Sequence, residues 1–140
     1  MIVMTSEAGF REREHTADWA LEVWAPDFPE LLRQAARGLE ALSGITVDEA
    51  APPERQAVAI PAEDPETALV EFLNELLFLR DTHGRWFRPE RLTWDGQAVR
   101  GTLVGFPLQS AAKEVKAATY HNLKARRTPA GWHAVVVVDV

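Results

Sequence analysis

A run of four valines close to the end of the chain is the feature that most constrains the fold. Residues 132–140 read Trp-His-Ala-Val-Val-Val-Val-Asp-Val. Valine favours strands, and an unbroken apolar run is consistent with a strand that is buried on both faces. Because loose termini are usually polar, we expect this last strand to lie inside a sheet. Asp139 and the carboxylate of Val140 are then held at a fixed position at its end.

Two carboxylates held side by side need a counter-charge, since buried charges are paired or coordinate a metal. A lysine, an arginine or a metal ion could supply it. The segment His15-Thr16-Ala17-Asp18, near the other end of the chain, offers further ligands. An aspartate in a short connection between strands is often only a local hydrogen-bonding residue. Asp18 and Asp139 together, however, would supply two carboxylates, which is the minimum for a hard-cation site.

Composition narrows the chemistry that is open to the chain. Cysteine is absent, which excludes disulfides and thiolate metal sites and leaves oxygen and nitrogen ligands for calcium, magnesium or manganese. A net charge of −6 argues against a general attraction to nucleic acid. There is no Gly-x-Ser-x-Gly motif, Gly-rich phosphate loop or His-x-x-x-His pair. No apolar run could span a membrane and no secretory leader is visible, so we expect one cytoplasmic domain over residues 1–140.

Two segments show the apolar spacing of amphipathic helices. The first begins at Asp27-Phe-Pro-Glu30, a capping-box pattern, and Gly44 is a natural stop. The second opens at Asp64-Pro65, where the missing N–H of proline costs nothing, and closes at Gly84. The apolar positions recur every three or four residues, at Leu31, Leu32, Ala35, Ala36, Leu39 and Leu42 and again at Leu69, Phe72, Leu73, Leu76, Leu77 and Leu79.

The other segments predict strands. Apolar residues alternate with a period of two at 19–24, and shorter patterns suggest strands at 10–15 and 55–61. Turn signals divide the remainder into four strands, near 86–94, 97–105, 115–127 and 132–139. The order β-β-α-β-α-β-β-β-β predicts an α+β fold, a two-layer sandwich in which two helices pack on a mostly antiparallel or mixed sheet.

Two polar segments leave alternatives open. Glu75 falls off the apolar stripe of the second helix, so it either belongs to a solvated face or pairs with a cation such as Lys116. Lys116 lies in the one basic segment of the chain. If that segment is a strand, Lys116 and Tyr120 share one face and His121 lies on the other. Its cations either protect an edge strand or bind an anion such as a phosphate or a nucleotide.

Taken together, these segments resemble the archease family. The resemblance covers nearly the whole chain and depends on the order of five segments: His15-Thr-Ala-Asp18, Ala35-Ala-Arg-Gly-Leu39, Leu73-Asn-Glu-Leu-Leu-Phe78, Lys116-Ala-Ala-Thr-Tyr-His121 and the final Asp139-Val140. Two positions depart from the family pattern. Trp19 stands where a smaller aliphatic residue is usual, and Ala118 stands where Val or Ile is usual.

The resemblance implies a small, non-catalytic protein that activates the GTP-dependent RNA-splicing ligase in tRNA splicing and RNA repair. Such a protein promotes guanylylation of the ligase histidine and multiple turnover, and it meets RNA only indirectly. The resemblance also implies a divalent metal, calcium with magnesium and manganese as alternatives. Its ligands would be Asp18, Asp139 and an oxygen of Val140, and the further candidates for a functional role are His15, Glu75, Lys116 and His121.

Two other functions remain open at this point. One is a chaperone-like modulator of a tRNA methyltransferase, which some members of the family have been described to be. The other is a metal-dependent hydrolase that uses Asp18, Asp139 and His15, although the sequence shows no evident general base for it.

Overall fold

The computed structural model describes residues 7–14 and 19–140. Its helices are α1 (Phe28–Ser43) and α2 (Pro65–His83). Its strands are β1 (Gly9–Glu14), β2 (Trp19–Ala25), β3 (Thr46–Val47), β4 (Glu54–Pro61), β5 (Arg85–Trp94), β6 (Ala98–Ser110), β7 (Ala117–Ala118), β8 (Ala125–Thr128) and β9 (Gly131–Asp139). His15 and Asp18 therefore lie outside the described residues.

Both helices begin and end where the sequence predicts. The Asp27 carboxylate accepts the backbone N–H of Glu30 at 2.9 Å, and the Asp64 carboxylate accepts that of Thr67 at 2.8 Å. Gly44 and Gly84 end the helices with φ of 61° and 63°, in the left-handed region that glycine enters without strain. The side chain of Glu30 does not complete a capping box. It accepts from Gln34 Nε2 at 2.7 Å instead.

The strands form two antiparallel sheets. In the first sheet the order is β1-β2-β9-β7, and β8 also pairs with β9. In the second sheet β6 is central, with β3, β4 and β5 as its neighbours. The last strand, β9, thus lies inside a sheet, as the valine run predicts.

Both helices contact both sheets, so a single core joins all the layers. Helix α1 packs on β1, β2 and β9 of the first sheet and on β5 of the second, and α2 packs on β7 and on β4, β5 and β6. Phe28 of α1 lies between Trp94 and Trp132, at ring-centre distances of 4.6 and 5.0 Å. The α+β class and the packing of two helices on antiparallel sheets are confirmed. The strands are divided between two sheets. Among the described residues, no helix is long and apolar enough to cross a membrane.

One predicted strand end is wrong in the second sheet. The strand predicted near 97–105 does not stop before Phe106 and Pro107, because β6 continues to Ser110. Its last residues pair with Arg85 on one side and with the short strand β3 on the other. The carbonyl of Pro107 accepts the backbone N–H of Asp48 at 3.0 Å. The proline is tolerated because its carbonyl still finds a partner, although it has no N–H to give.

The strand predicted at 115–127 is also wrong. It is replaced by two short strands, β7 and β8, with a turn between them. Asn122 in this turn has φ of 51°, in the left-handed region that asparagine tolerates better than most residues. Lys116, Tyr120 and His121 consequently do not follow the alternating faces of one strand.

Candidate functional site

The end of β9 holds the backbone of Asp139 in place and leaves its side chain in solvent. Asp139 pairs with Ala117 of β7, and its carbonyl accepts the backbone N–H of Lys116 at 2.8 Å. The Asp139 side chain is exposed, and Val140 is 47% exposed. The backbone of Asp139 is therefore fixed by strand pairing, and its carboxylate is exposed at the end of that strand.

The same end of the sheet contains the start of β2. Strands β2 and β9 pair antiparallel over seven residue pairs, from Ala25 with Trp132 to Trp19 with Val138. The Trp19–Val138 pair is the last described pair at this end. In the sequence, the next residues are Asp18 before β2 and Asp139 after Val138.

The described residues alone do not form a complete metal site. Across residues 7–14 and 19–140, no group of three or more His, Asp or Glu side chains could hold one metal ion. Asp139 and a backbone oxygen of Val140 supply oxygen donors of the kind that calcium and magnesium prefer. They fit a hard cation but fall short of the six to eight oxygens that calcium takes.

Side chains of α2 hold β7 and the residues just before it. Asn74 donates to the carbonyl of Ala118 at 3.1 Å and accepts its N–H at 2.8 Å. Arg80, which is buried, donates to the carbonyl of Val115 at 2.8 Å. These side chains take the place of a second strand on that edge of β7, which explains why so short a strand is stable.

Lys116 and Glu75 do not form the predicted ion pair. Lys116 is exposed and Glu75 is half-buried. Neither side chain makes a salt bridge within the described part of the chain. What holds Lys116 beside Asp139 is its backbone, which leaves the ammonium group in solvent.

His121 lies at the surface of the turn between β7 and β8. Its backbone N–H donates to Thr119 Oγ1 at 3.3 Å, and its ring lies 3.3 Å from the amide of Asn122. The same turn is fixed from α2, because the Tyr120 hydroxyl donates to Glu71 at 3.1 Å. Burial is the main cause that raises the pKa of Tyr120, and the Glu71 carboxylate adds to it. The structure thus places His121 on the turn that follows Lys116.

One contact near this end escapes prediction from the sequence. The ammonium of Lys113 lies 3.6 Å from the ring centre of Trp19, a cation–π contact. Trp19 directly follows Asp18 and is the residue that departs from the family pattern. The large ring has two contacts here, because it packs against the core and lies against the Lys113 ammonium.

A partly buried contact between Glu22 and His133 lies three residues beyond Trp19 along β2. Glu22 Oε2 lies 2.7 Å from His133 Nε2 of β9, and Arg11 of β1 approaches the other oxygen at 3.4 Å. The hydrogen bond from His133, together with the charge of Arg11, keeps the pKa of Glu22 below its ordinary value of 4.5 even though burial acts in the opposite direction. The pair therefore joins the three strands β1, β2 and β9 through charge.

The anchoring by Asn74 predicts a loss of stability on its removal. Asn74→Ala leaves the N–H and carbonyl of Ala118 without their partner, which should lower the free energy of unfolding by about 1–3 kcal/mol. Urea denaturation measures this loss, and hydrogen exchange should speed up at the Ala118 amide. The neighbouring substitution Glu75→Ala should leave both quantities close to wild type. Unchanged exchange at Ala118 in Asn74→Ala would contradict the anchoring role.

The lowered pKa of Glu22 predicts a pH dependence of stability. Since the pKa is lower in the folded state, the charged form stabilises the fold above about pH 4.5, and this contribution is lost as the pH falls through the lowered pKa. Between about pH 6 and about pH 3, a range chosen to include the titration of Glu22, the free energy of unfolding of Glu22→Gln should therefore change less than that of wild type. Glu12→Gln, on the exposed surface of β1, should keep the wild-type slope. Equal slopes for wild type and Glu22→Gln would refute this assignment.

Comparisons with known proteins identify relatives of this chain. A model of the archease protein family matches residues 10–140. The archease of Methanopyrus kandleri is 38% identical over 94% of this chain and 99% of its own, and that of Archaeoglobus fulgidus is 34% identical over 94% and 98%. The crystal structure of an archease from Thermotoga maritima, described as a possible chaperone, is 30% identical over 93% of this chain and 96% of its own, with a TM-score of 0.67. A Methanobacterium thermoautotrophicum structure at 24% identity has the same fold, with a TM-score of 0.66.

Proposed function

This chain belongs to the archease family, and on that premise we propose that it is a non-catalytic activator of the GTP-dependent RNA-splicing ligase. It promotes guanylylation of the ligase and its multiple turnover in tRNA splicing and RNA repair. Its contact with RNA is indirect, through the ligase. Family membership over residues 10–140, together with the fixed and outward-facing Asp139, is the observation that carries this proposal.

The proposed contact point with the ligase is an acidic tip formed by Asp18, Asp139 and Val140. If the β2–β9 ladder continues by one pair beyond Trp19 and Val138, Asp18 comes to lie beside Asp139. Two carboxylates and a backbone oxygen would hold a divalent cation, with calcium as the first candidate and magnesium or manganese as alternatives. Such an ion would supply positive charge and open coordination positions at the surface of the tip.

Residues of this chain prepare the tip before any ion arrives. The β7–β9 pairing fixes the backbone of Asp139, so little conformational entropy is lost when its carboxylate takes up a ligand. Lys116 lies next to it through the 2.8 Å backbone bond, and its exposed ammonium group has no salt-bridge partner among the described residues. We assign this group to an acidic or phosphate group of the partner. His15, which lies outside the described residues, His121 and Glu75 are further candidates for a functional role.

The description of the Thermotoga maritima relative as a possible chaperone favours one second candidate, a chaperone-like partner of another RNA-processing enzyme such as a tRNA methyltransferase. Both functions need a protein partner and no reaction at the tip itself. They differ in which partner binds, so purified enzymes distinguish them.

The proposal predicts that this protein stimulates guanylylation of the purified ligase in the presence of GTP and manganese, at substoichiometric amounts. Asp139→Ala should abolish the stimulation while the protein stays folded, because the Asp139 side chain is exposed and contributes nothing to the core. Glu63→Ala, which removes the same charge from an exposed position beside α2, is the matched control and should stimulate like wild type. Full stimulation by folded Asp139→Ala would refute the role of the tip. The absence of stimulation by wild type, with tight binding to a methyltransferase, would favour the second candidate.

A further inference from the structure

A groove runs along α1. Its volume is about 750 Å³, within the range of about 300–1,000 Å³ that is typical of ligand pockets. One wall is Phe10 of β1, and the opposite wall is Trp86 and Pro89 of β5. The floor is the face of α1 that carries Ala36, Arg37 and Ala41. We call this feature the α1 groove.

The α1 groove lies between the free edges of the two sheets. Within the described part of the chain, β1 pairs only with β2, and β5 pairs only with β6. The β5 edge is blocked, because Pro89 has no N–H and its carbonyl already accepts from Arg33 Nη1 at 2.9 Å. Among the described residues, no strand pairs with the outer edge of β1. In an antiparallel strand, half of the backbone N–H and carbonyl groups point away from the paired neighbour, so β1 can accept another strand.

The charges in the α1 groove leave one cation available. Arg33 is held by Glu30 at 3.4 Å, and Arg88 is held by Glu40 at 2.9 Å and by Glu49. These carboxylates raise the pKa of Arg88, so its positive charge is already balanced. Arg37 is exposed and makes no hydrogen bond or salt bridge with any described residue. An incoming group therefore finds one guanidinium, that of Arg37, which has no partner among the described residues.

From these features we infer that the α1 groove binds an extended segment of the partner protein. The segment adds to the outer edge of β1, inserts an apolar side chain between Phe10 and Pro89, and pairs an acidic side chain with Arg37. Edge addition supplies affinity through main-chain hydrogen bonds, and the pocket supplies specificity. This inference rests on the proposed function, since it takes the RNA-splicing ligase as the partner. Under this inference the ligase docks at the α1 groove, whereas its activation depends on the acidic tip.

Two substitutions on α1 test the inference without touching the core. Ala41→Arg fills the α1 groove with a long side chain, and Arg37→Glu reverses its one free charge. Both positions are exposed, and both new residues suit a helix. Each should raise the Kd for the purified ligase, measured by biolayer interferometry, by at least about tenfold. Two matched controls, Ala130→Arg in the β8–β9 turn and Arg91→Glu on β5, should bind like wild type.

The outcomes separate this inference from the proposed function. If wild type binds the ligase and folded Ala41→Arg and Arg37→Glu bind equally well, the α1 groove is not the docking site and the proposed function stands. If wild type neither binds nor stimulates the ligase, both are overturned. Hydrogen exchange gives a second reading: the complex should protect the amides of Gly9–Glu14, and unchanged exchange there would exclude edge addition to β1.

Discussion

The pairing of β2 with β9 is the constraint on which the rest of the structure depends. It joins the second strand of the chain to the last over seven residue pairs and places both inside the first sheet. Leu21, Val23, Val136 and Val138 of this ladder are completely buried against the helices. Burying each such side chain contributes about 1.5–3 kcal/mol. Because its last described pair is Trp19 with Val138, the ladder also decides which chain segments meet at the candidate site.

The parts of the fold that depend on local sequence could be predicted. Both helices were predicted with their caps, because an aspartate before the first turn and a glycine after the last act within four residues of chain. The strand at 19–24 and the buried last strand were predicted for a similar reason, since alternation and a valine run report how a segment is buried. The resemblance to the archease family supplied the functional hypothesis, and the family is confirmed.

The parts that depend on distant contacts could not be predicted. The segment 115–127 reads as one strand, yet it forms two short strands, and Asn74, 44 residues away from Ala118, binds the outer edge of the first of them. The contact of Lys113 with Trp19 spans most of the chain, so no local pattern indicates it. The α1 groove forms where edge strands of two different sheets, β1 and β5, meet over one helix, and no local pattern indicates that meeting. Of the predicted site residues, Asp139, Val140 and Lys116 lie together, while Glu75 does not pair with Lys116.

The central claim is that the paired ends of β2 and β9 form a cation site. Isothermal titration of the isolated protein with calcium, and then with magnesium and manganese, tests it without the ligase. The account predicts one bound ion per chain for wild type and loss of binding in Asp139→Asn, which keeps the shape of the side chain and removes its charge. Absence of binding of all three ions to folded wild type, or equal binding to Asp139→Asn, would contradict it.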